Sequence, residues 1–464
     1  MKSFEQAAPP VRSTSPNPHR AHWLRFGVVA LFLLPILAAC GFGSGDSNGG
    51  QISWAQGTRS PDGIAPPVST EPDQPTVAAT LITEPTQPAQ TETTALPTMP
   101  AATSAPTVAA TTAATTAAAA PTKPAVTGQV LSPEQLQEYQ PNELGYVPVI
   151  MYHNIVQQYT GEEEGDVLFR TEEELRGDLQ WLYDNNFYVI TMQEYIENRI
   201  SAPAGKHPVV LTFDDSRPSQ FFYDIAADGS VTTDPHSVVA ILEDFFATHP
   251  DFGHTALFAI LPIWCFDFEE PEQEPYCQQK LQWLVANGYE VANHTWDHQD
   301  MSNVSSDVFL QKIGDTIEFI QENTGQLSAA EALILPFGSF PDTDVNPDAQ
   351  QEWEWIRNGF DYNGQHYQLW TVVAAGAEPG PSPNSTAFDE MSIARIGGKD
   401  EPGPGEGDLF LDYWFGQFES RPDLLYTSDG NPDTVTVPEV LPAEQEGLLD
   451  TDIIESEGKQ LIQY

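Results

Sequence analysis

The stretch Val209–Pro218, VVLTFDDSRP, ends a run of apolar and β-branched residues with two adjacent carboxylates, Asp214 and Asp215. The run has the composition of a buried β-strand. Two neighbouring negative charges raise each other's pKa, and an opposite charge close by reverses that effect. The pair therefore predicts a positive partner near the end of this strand.

Segments on both sides of this strand alternate between strand-like and helix-like patterns. The strand-like segments are YVPVIMYHNI, FYVIT, HTALFAIL, YEVANHT and EALILPFG, and helix-like segments such as TEEELRGDLQWLYDNN and SVVAILEDFFATH lie between them. This alternation predicts an α/β fold with a parallel sheet, in the form of a distorted or incomplete (β/α) barrel of the TIM type. In such barrels the active residues follow the carboxyl ends of the strands. The candidate site residues of this chain do follow strand-like runs: His153, Asp214, Asp215, His294 and Pro336.

The composition divides the chain into four predicted parts. Residues 1–39 are predicted to be a signal peptide, residues 40–130 a disordered tether rich in Pro, Thr and Ala, and residues 131–428 the barrel domain. The tether has too few large apolar residues to offset the entropy lost on ordering. Residues 429–464 are rich in Pro and acidic residues and are predicted to form a loosely packed acidic tail.

The N-terminal segment predicts export and anchoring. Basic residues precede an apolar run, residues 26–39, which ends at Cys40. A membrane-spanning helix needs about 20 apolar residues, so this shorter run fits the core of a signal peptide. The sequence LAAC at residues 37–40 resembles a bacterial lipobox, which implies a lipid on Cys40 and attachment to the outer face of the cell membrane. The alternative is an ordinary secretory signal with a chance cysteine.

Charge and the remaining cysteines limit the possible partners. The chain has a formal net charge of −49 and only 18 Lys and Arg residues, which excludes nucleic acid as a partner because phosphates are bound by clustered basic residues. Cys265 and Cys277 are close in sequence, and in an exported protein they predict a disulfide. The alternative is a pair of buried free thiols. The sequence does not indicate which oligomeric state the protein has.

Two histidines could bind a metal ion together with one of the two adjacent carboxylates. His294 and His298 are four residues apart, a spacing that puts both imidazoles on one face of a helical turn. Two His with one Asp form a common divalent-metal arrangement with an open position for water. One aspartate would then bind the metal ion, and the other would act as a general base. The alternative is two solvated aspartates at a helix start and two histidines without a metal.

The residues also resemble a known family. Thr212-Phe213-Asp214-Asp215 is similar to the T-F-D-D motif of the polysaccharide deacetylases, whose conserved region is the NodB homology domain (carbohydrate esterase family 4). HTWDH, residues 294–298, resembles the H-[ST]-x-x-H motif, and PFG, residues 336–338, the P-[FY]-G motif. The segments GYEVANHT and VPVIMYHNI resemble further conserved stretches. The resemblance covers roughly residues 146 to 340.

The resemblance implies a role for each motif residue. Asp214 would be the base that activates water, and Pro336 and Phe337 would shape the sugar groove. The chemistry would be hydrolysis of acetyl groups, N-acetyl above all, on an extracellular or cell-wall polysaccharide by a metal-activated water. The residues implied as ligands of zinc or another divalent ion are Asp215, His294 and His298.

Three departures from the family pattern qualify these roles. The C-terminal L-x-I-x-L-H motif that supplies the acid in many members is absent, and His153 in IMYHNI resembles the histidine of a permuted branch that takes its acid from an N-terminal strand. His153 is therefore the candidate acid, with a packed core histidine as the alternative. Ile334 stands where many members have an arginine that orients the base, and Ser216 stands where Gly is usual. These departures leave a glycan-binding lipoprotein with a degenerate site, or a structural envelope lipoprotein, as alternative functions.

Overall fold

A computed structural model describes residues 130–161, 163, 166–326, 331–375, 378–398 and 410–464. The predicted signal peptide, the lipid site at Cys40 and the tether, apart from its last residue, lie outside this part of the chain. No helix within these residues is long and apolar enough to cross a membrane.

The described residues form short strands and helices in alternation. The strands are β1 (Val149–Tyr152), β2 (Asn154–Val156), β3 (Phe169–Thr171), β4 (Phe187–Val189), β5 (His207–Phe213), β6 (Tyr223–Ile225), β7 (Val231–Thr233), β8 (Leu257–Ile260), β9 (Glu290–Asn293), β10 (Ala332–Ile334), β11 (Phe360–Tyr362), β12 (Gln365–Tyr367), β13 (Thr371–Val373), β14 (Ile396–Gly397), β15 (Thr434–Val437) and β16 (Gln460–Gln463). The α-helices are α1 (Pro133–Tyr139), α2 (Glu172–Asp184), α3 (Met192–Ile196), α4 (Val238–Thr248), α5 (Cys277–Ala286), α6 (Ser306–Thr324), α7 (Ala349–Asn358), α8 (Leu411–Ser420) and α9 (Thr451–Ser456).

An eight-stranded parallel sheet forms the centre of the domain, in the order β13-β10-β9-β8-β5-β1-β14, with β4 also paired to β5. Ile393 pairs in parallel with Val373 at one edge of this sheet. Three residues later, Ile396 pairs in parallel with Ile150 at the other edge. One short segment thus joins both edges and curls the sheet into a distorted barrel. The predicted α/β barrel-like fold is confirmed.

The alternation of side chains along β5 decides which residues face the interior of the barrel. Val209, Leu211 and Phe213 belong to the large core between the sheet and the helices. Val210 belongs to a second cluster, made mostly of strand residues inside the barrel. Because side chains alternate along a strand, Thr212 and then Asp214 continue on the inner side.

Helix α2 shows how the sequence sets the outer layer. Its N-cap Thr171 accepts a hydrogen bond from the Glu174 backbone N–H (3.2 Å), and the Glu174 carboxylate accepts one from the Thr171 N–H (2.6 Å). Such a capping box satisfies N–H groups that have no partner within the helix. The apolar side chains that α2 buries against the sheet are Leu175, Leu179 and Leu182.

The C-terminal segment is folded, so the prediction of a loosely packed tail from residue 429 is wrong. Strands β15 and β16 pair in parallel, and Val435 and Val437 are fully buried in a small separate core. The buried carboxylate of Glu143 accepts hydrogen bonds from the backbone N–H groups of Asp429 (3.1 Å) and Thr436 (2.8 Å). Composition was misleading because the strand pattern TVTV lies within an acidic, Pro-rich stretch.

This packing predicts a stability difference between two valines of the same segment. Val435→Ala should lower the free energy of unfolding by about 2 kcal/mol, because it removes two buried methyl groups and leaves a cavity. Val440→Ala, at a side chain that is 85 % exposed, should change it by less than about 0.5 kcal/mol. Urea unfolding of both variants measures the difference, and equal effects would contradict a folded C-terminal segment.

Candidate active site

Polar side chains meet at one end of the barrel, where the parallel strands end. His153 follows β1, Asp214 and Asp215 follow β5, His294 follows β9, and Pro336 follows β10 with one residue between. Since the strands are parallel, their carboxyl ends lie on the same side of the sheet. The barrel therefore brings together residues that are far apart in sequence.

Three of the predicted residues form a group suited to a metal ion. Oδ1 of Asp215 is 3.4 Å from Nε2 of His294 and 3.3 Å from Nε2 of His298. All three donor atoms lie within 4.8 Å of one another. Oδ1 of Asp215 and Nε2 of His294 are buried and have no hydrogen-bond partner among the described residues. Buried polar atoms without partners are unfavourable, so the geometry fits a divalent cation.

The two histidines differ in their environment. Nδ1 of His294 lies 2.8 Å from the carbonyl oxygen of Ile334 and donates to it, which leaves the Nε2 lone pair facing Asp215. Burial lowers the pKa of His294, but Asp215 and Asp214 raise it by more, so the net pKa is raised. Burial, together with the charge of His294, lowers the pKa of His298 to about 4. At neutral pH His298 is therefore unprotonated and available as a ligand.

The histidines do not lie on a helix, contrary to the simplest interpretation of their spacing. They belong to an irregular turn after β9, in which Thr295 has φ 64° and His298 has φ 60°. Other site residues, Asp215 (φ 76°), Ser216 (φ 44°) and Phe337 (φ 58°), share this left-handed conformation. Each costs roughly 1 kcal/mol or more for a residue other than glycine. The surrounding structure must hold these turns in place.

Asp214 is held by an arginine that sequence analysis missed. Nη1 of Arg395 donates to Oδ1 of Asp214 and Nη2 donates to Oδ2, both at 2.8 Å. Arg395 also donates to Oγ1 of Thr212 (3.0 Å) and to the carbonyl of Ala374 (2.7 Å). Burial raises the pKa of Asp214, but Arg395, together with His294 and His153, lowers it by more, so the net pKa is below its usual value. Asp214 is therefore ionised at neutral pH, as a base must be.

The arginine comes from an unexpected place in the chain. Ile334, where the family resemblance suggested a missing arginine, is a fully buried residue of the inner cluster. Arg395 instead lies between the two points where its segment pairs with opposite edges of the sheet. The absence of arginine at position 334 thus does not leave Asp214 without a guanidinium. The only available signal was a lone basic residue, in SIARIGG, within a chain of 18 Lys and Arg residues.

Asp215 also has its own arginine, which the sequence analysis did not identify. Nε and Nη2 of Arg217 both lie 3.2 Å from Oδ2 of Asp215. The guanidinium stacks on the rings of Trp264 (4.6 Å) and Phe268 (4.7 Å). The positive partners that the adjacent carboxylates require are therefore two arginines of the chain itself, in addition to any metal ion.

His153 lies beside Asp214 but does not contact it closely. Its Nε2 is 4.0 Å from Oδ2 of Asp214, and 13 % of its side chain is exposed. Burial lowers the pKa of His153 more than the two aspartates raise it, so the imidazole is neutral at neutral pH. The structure places His153 in the site, and its role as an acid stays a prediction.

The predicted groove residues differ in exposure. Phe337 is 65 % exposed, and its ring centroid lies 4.6 Å from that of His298. Pro336 is buried and can act on a substrate only by holding the turn. Ile263 is 51 % exposed, and its N–H donates to the carbonyl of Trp296 in the histidine turn (3.3 Å). Two exposed apolar side chains therefore lie next to residues of the histidine turn.

Cys265 and Cys277 form a disulfide. It closes the loop that carries Phe268, next to Trp264, and so supports the two rings under Arg217. A cleft of about 1220 Å³ elsewhere is lined by residues that include Lys206, His207 and Tyr464. It lies at the opposite end of β5 from Asp214 and is separate from this site.

Residues 201–352 match the family model of polysaccharide deacetylases. This match agrees with the resemblance of the motifs to that family. The matched segment contains both aspartates, both histidines and the PFG turn, whereas His153 and Arg395 lie outside it. A search of curated proteins found no match.

Several solved structures are similar to part of this chain. The Streptococcus pyogenes deacetylase PplD in complex with acetate is 18 % identical, with 55 % of this chain and 92 % of that chain covered and a TM-score of 0.38. A de-N-acetylase from Aggregatibacter actinomycetemcomitans is 17 % identical, with 55 % and 96 % covered and a TM-score of 0.35. A CE4 family pseudoenzyme from Bacillus anthracis is 17 % identical, with 38 % and 49 % covered and a TM-score of 0.22. At these values the likenesses carry no argument about activity.

The buried Asp214–Arg395 pair predicts a large effect on stability. Arg395→Met should lower the free energy of unfolding at neutral pH by about 3–5 kcal/mol, because it leaves a buried carboxylate without its partner. The double variant Asp214→Asn/Arg395→Met should be less destabilised than the sum of the two single variants. Urea unfolding of the three variants measures both effects.

The destabilisation caused by Arg395→Met should depend on pH, in a direction that follows from the pKa of Asp214. The depressed pKa of Asp214 stabilises the fold above the unfolded pKa of about 3.9, and this stabilisation is lost as pH falls through the folded pKa. The difference between wild type and Arg395→Met should therefore narrow below about pH 4. The control is Arg357→Met, at an arginine whose ion pair with Asp389 is half-exposed, with an expected change of less than about 1 kcal/mol. Equal losses in Arg357→Met and Arg395→Met would contradict the buried pair.

The two histidines predict that metal binding releases a proton. Zinc binds a neutral imidazole, so a proton carried by His294, whose pKa is raised, must leave on binding, whereas the pKa of His298 is already lowered to about 4. Zinc titration calorimetry near pH 7, in buffers of different ionisation enthalpy, should show release of up to about one proton per ion. Affinity should fall as pH falls through the raised pKa of His294. Binding with no proton release and no pH dependence down to about pH 5 would exclude these ligands.

Proposed function

We propose that the protein is a metal-dependent deacetylase, with zinc as the expected ion, that removes acetyl groups, N-acetyl above all, from an extracellular or cell-wall polysaccharide. The observation that supports this most is the position of an arginine-held base, Asp214, directly beside the Asp215–His294–His298 group. A base next to a cation site is the arrangement that metal-assisted hydrolysis requires. The family match of residues 201–352 gives the same reaction class.

The ligands of the cation would be Asp215, His294 and His298, which present the buried unpartnered atoms described above. When bound, a divalent cation would polarise a water molecule and the acetyl carbonyl. Burial raises the pKa of Asp215, but the facing imidazoles lower it by more, so the carboxylate is ionised and ready to bind a cation.

Asp214 takes the proton of the attacking water in this proposal. Arg395 supplies one hydrogen bond to each of its oxygens, which fixes the plane of the carboxylate but leaves further lone pairs on both. Because the guanidinium cannot be deprotonated at ordinary pH, it keeps Asp214 ionised between turnovers. The fixed orientation directs the remaining lone pairs without the cost of ordering the carboxylate during the reaction.

His153 delivers a proton to the leaving nitrogen or oxygen. A neutral imidazole must first receive that proton, and the nearest donor is the protonated Asp214, whose Oδ2 lies 4.0 Å from Nε2 of His153. A movement of about 1 Å brings the two atoms to hydrogen-bond distance. The proton taken from water then passes through Asp214 and His153 to the sugar amine or hydroxyl. The C–N or C–O bond breaks, and acetate leaves.

The rim of the site suits a sugar chain. Phe337 and Ile263 expose apolar surface next to the histidine turn, and the C–H faces of sugar rings pack against such side chains. The lipobox at Cys40 and the tether, both proposed from sequence alone, would hold the domain on the outer face of the membrane within reach of envelope glycans. A flexible chain of about 90 residues spans roughly 50 Å on average.

The experiment is an acetate-release assay of the full-length chain, solubilised in detergent, on acetylated chitooligosaccharides and acetylxylan, with and without zinc. Release should require the ion and fall by at least about 100-fold in Asp214→Asn, because the base is lost. His153→Gln should lower the rate by a similar factor, whereas His366→Gln, at an exposed histidine, should leave it unchanged.

The outcomes separate the candidate functions. Metal-dependent release that is lost in Asp214→Asn establishes the enzyme. Zinc binding without acetate release from either polymer would overturn the proposal in favour of a glycan-binding protein. Full activity in His153→Gln would remove His153 from the mechanism and return it to the role of a core histidine.

A further inference from the structure

The two carboxylate oxygens of Asp215 have different neighbours, Arg217 at one and the two histidines at the other. Its Nε and Nη2 both lie 3.2 Å from Oδ2, while Oδ1 faces His294 and His298 at 3.4 and 3.3 Å. A carboxylate can bind a cation through one oxygen or through both. With Oδ2 held by the guanidinium, only Oδ1 is left for a cation between the imidazoles.

The guanidinium is itself held in place. The rings of Trp264 and Phe268 lie under it at 4.6 and 4.7 Å and pack edge to face against each other at 4.8 Å. Such stacking is favourable for arginine because its planar cation meets the negative face of a ring. The side chain of Arg217 is 19 % exposed, so its position is set by the protein rather than by solvent.

The loop that carries these rings is tied to the aspartate turn. The backbone N–H of Phe266 donates to the carbonyl of Ser216 (2.7 Å), and the N–H of Leu261 donates to Oγ of Ser216 (3.1 Å). On the other side, Nζ of the buried Lys280 donates to the carbonyl of Phe266 (3.1 Å), and the Cys265–Cys277 disulfide joins the loop to the start of α5. The hydroxyl of Ser216, where the family usually has Gly, therefore has a defined structural use.

We propose that Arg217 is a positioning residue that restricts Asp215 to one-oxygen coordination, and that the disulfide-closed loop holds Arg217 for this purpose. The inference rests on the metal site of the proposed function and adds to it. A catalytic metal site must keep a position open for water or substrate, and a second oxygen from Asp215 would fill one. The guanidinium also repels the cation, so it keeps a position open but lowers the affinity of the site for the metal ion.

The proposal predicts opposite changes in affinity and rate. Arg217→Gln removes the positive charge and frees Oδ2, so the full-length chain should bind Zn²⁺ more tightly, by about tenfold, and release acetate more slowly, by a similar factor. With Co²⁺ as the bound probe, the visible absorption should weaken, as expected for a higher coordination number. Arg217→Lys, which retains the charge, should bind Zn²⁺ with nearly the affinity of wild type. A merely structural role would instead weaken metal binding in both variants.

The matched control is Arg357→Gln. Arg357 also stacks on a tryptophan, Trp353 at 5.4 Å, and pairs with an aspartate, Asp389, but at the surface. The Zn²⁺ affinity, the Co²⁺ spectrum and the rate of acetate release of Arg357→Gln should equal those of wild type. Thermal unfolding of each metal-free variant shows whether the fold is retained, and Arg217→Met, which also removes the charge and frees Oδ2, serves as the test if Arg217→Gln does not fold.

Each result decides the proposal. Unchanged or weaker Zn²⁺ binding in Arg217→Gln, together with an unchanged Co²⁺ spectrum, would overturn it. If wild type binds Zn²⁺ but releases no acetate, the proposed function fails, and the affinities and spectra still test the role of Arg217. If wild type binds neither ion, the inference fails together with the metal site.

Discussion

The structure of the site depends on one buried ion pair, Arg395 with Asp214. Both side chains are almost fully buried at the end of the barrel, and two hydrogen bonds of 2.8 Å join them. Removing a carboxylate from water is unfavourable unless an opposite charge and good hydrogen-bond geometry compensate for it. The guanidinium provides both, and it also bonds Thr212 and Ala374, which belong to or follow two different strands of the sheet.

This constraint connects the closure of the barrel with its chemistry. The segment that carries Arg395 pairs with Val373 on one side and with Ile150 on the other. A shift of this segment by one residue would point the arginine side chain away from the interior, because side chains alternate along a strand. The same backbone pairing that closes the sheet therefore sets the position of Asp214, the proposed base. A change that destabilises this segment should also affect the proposed reaction.

The second aspartate, Asp215, belongs to the proposed metal site and lies next to several charged groups. Arg217 compensates the outer oxygen of Asp215, and the two histidines face the inner one. The left-handed turns at Asp215, Ser216, Thr295 and His298 are unfavourable for these residue types and are held by surrounding hydrogen bonds and packing. Functional geometry here is maintained by the loops, which the disulfide and the buried Lys280 support from behind.

The sequence by itself determined the α/β barrel-like fold, the strand ends at which the site lies, and the aspartates and histidines that meet there. Periodicity and local motifs carry that information, since each depends on residues close in the chain. Only the tertiary structure identified Arg395 and Arg217 as the partners of the two carboxylates and showed that residues 434–463 are folded. Asp214 and Arg395 are 181 residues apart, and nothing in the sequence near either residue encodes their contact. Arg217 is near Asp215 in sequence, but its orientation depends on rings from a loop held by a disulfide. Such contacts follow from how strands are ordered in the sheet, which a single sequence does not display.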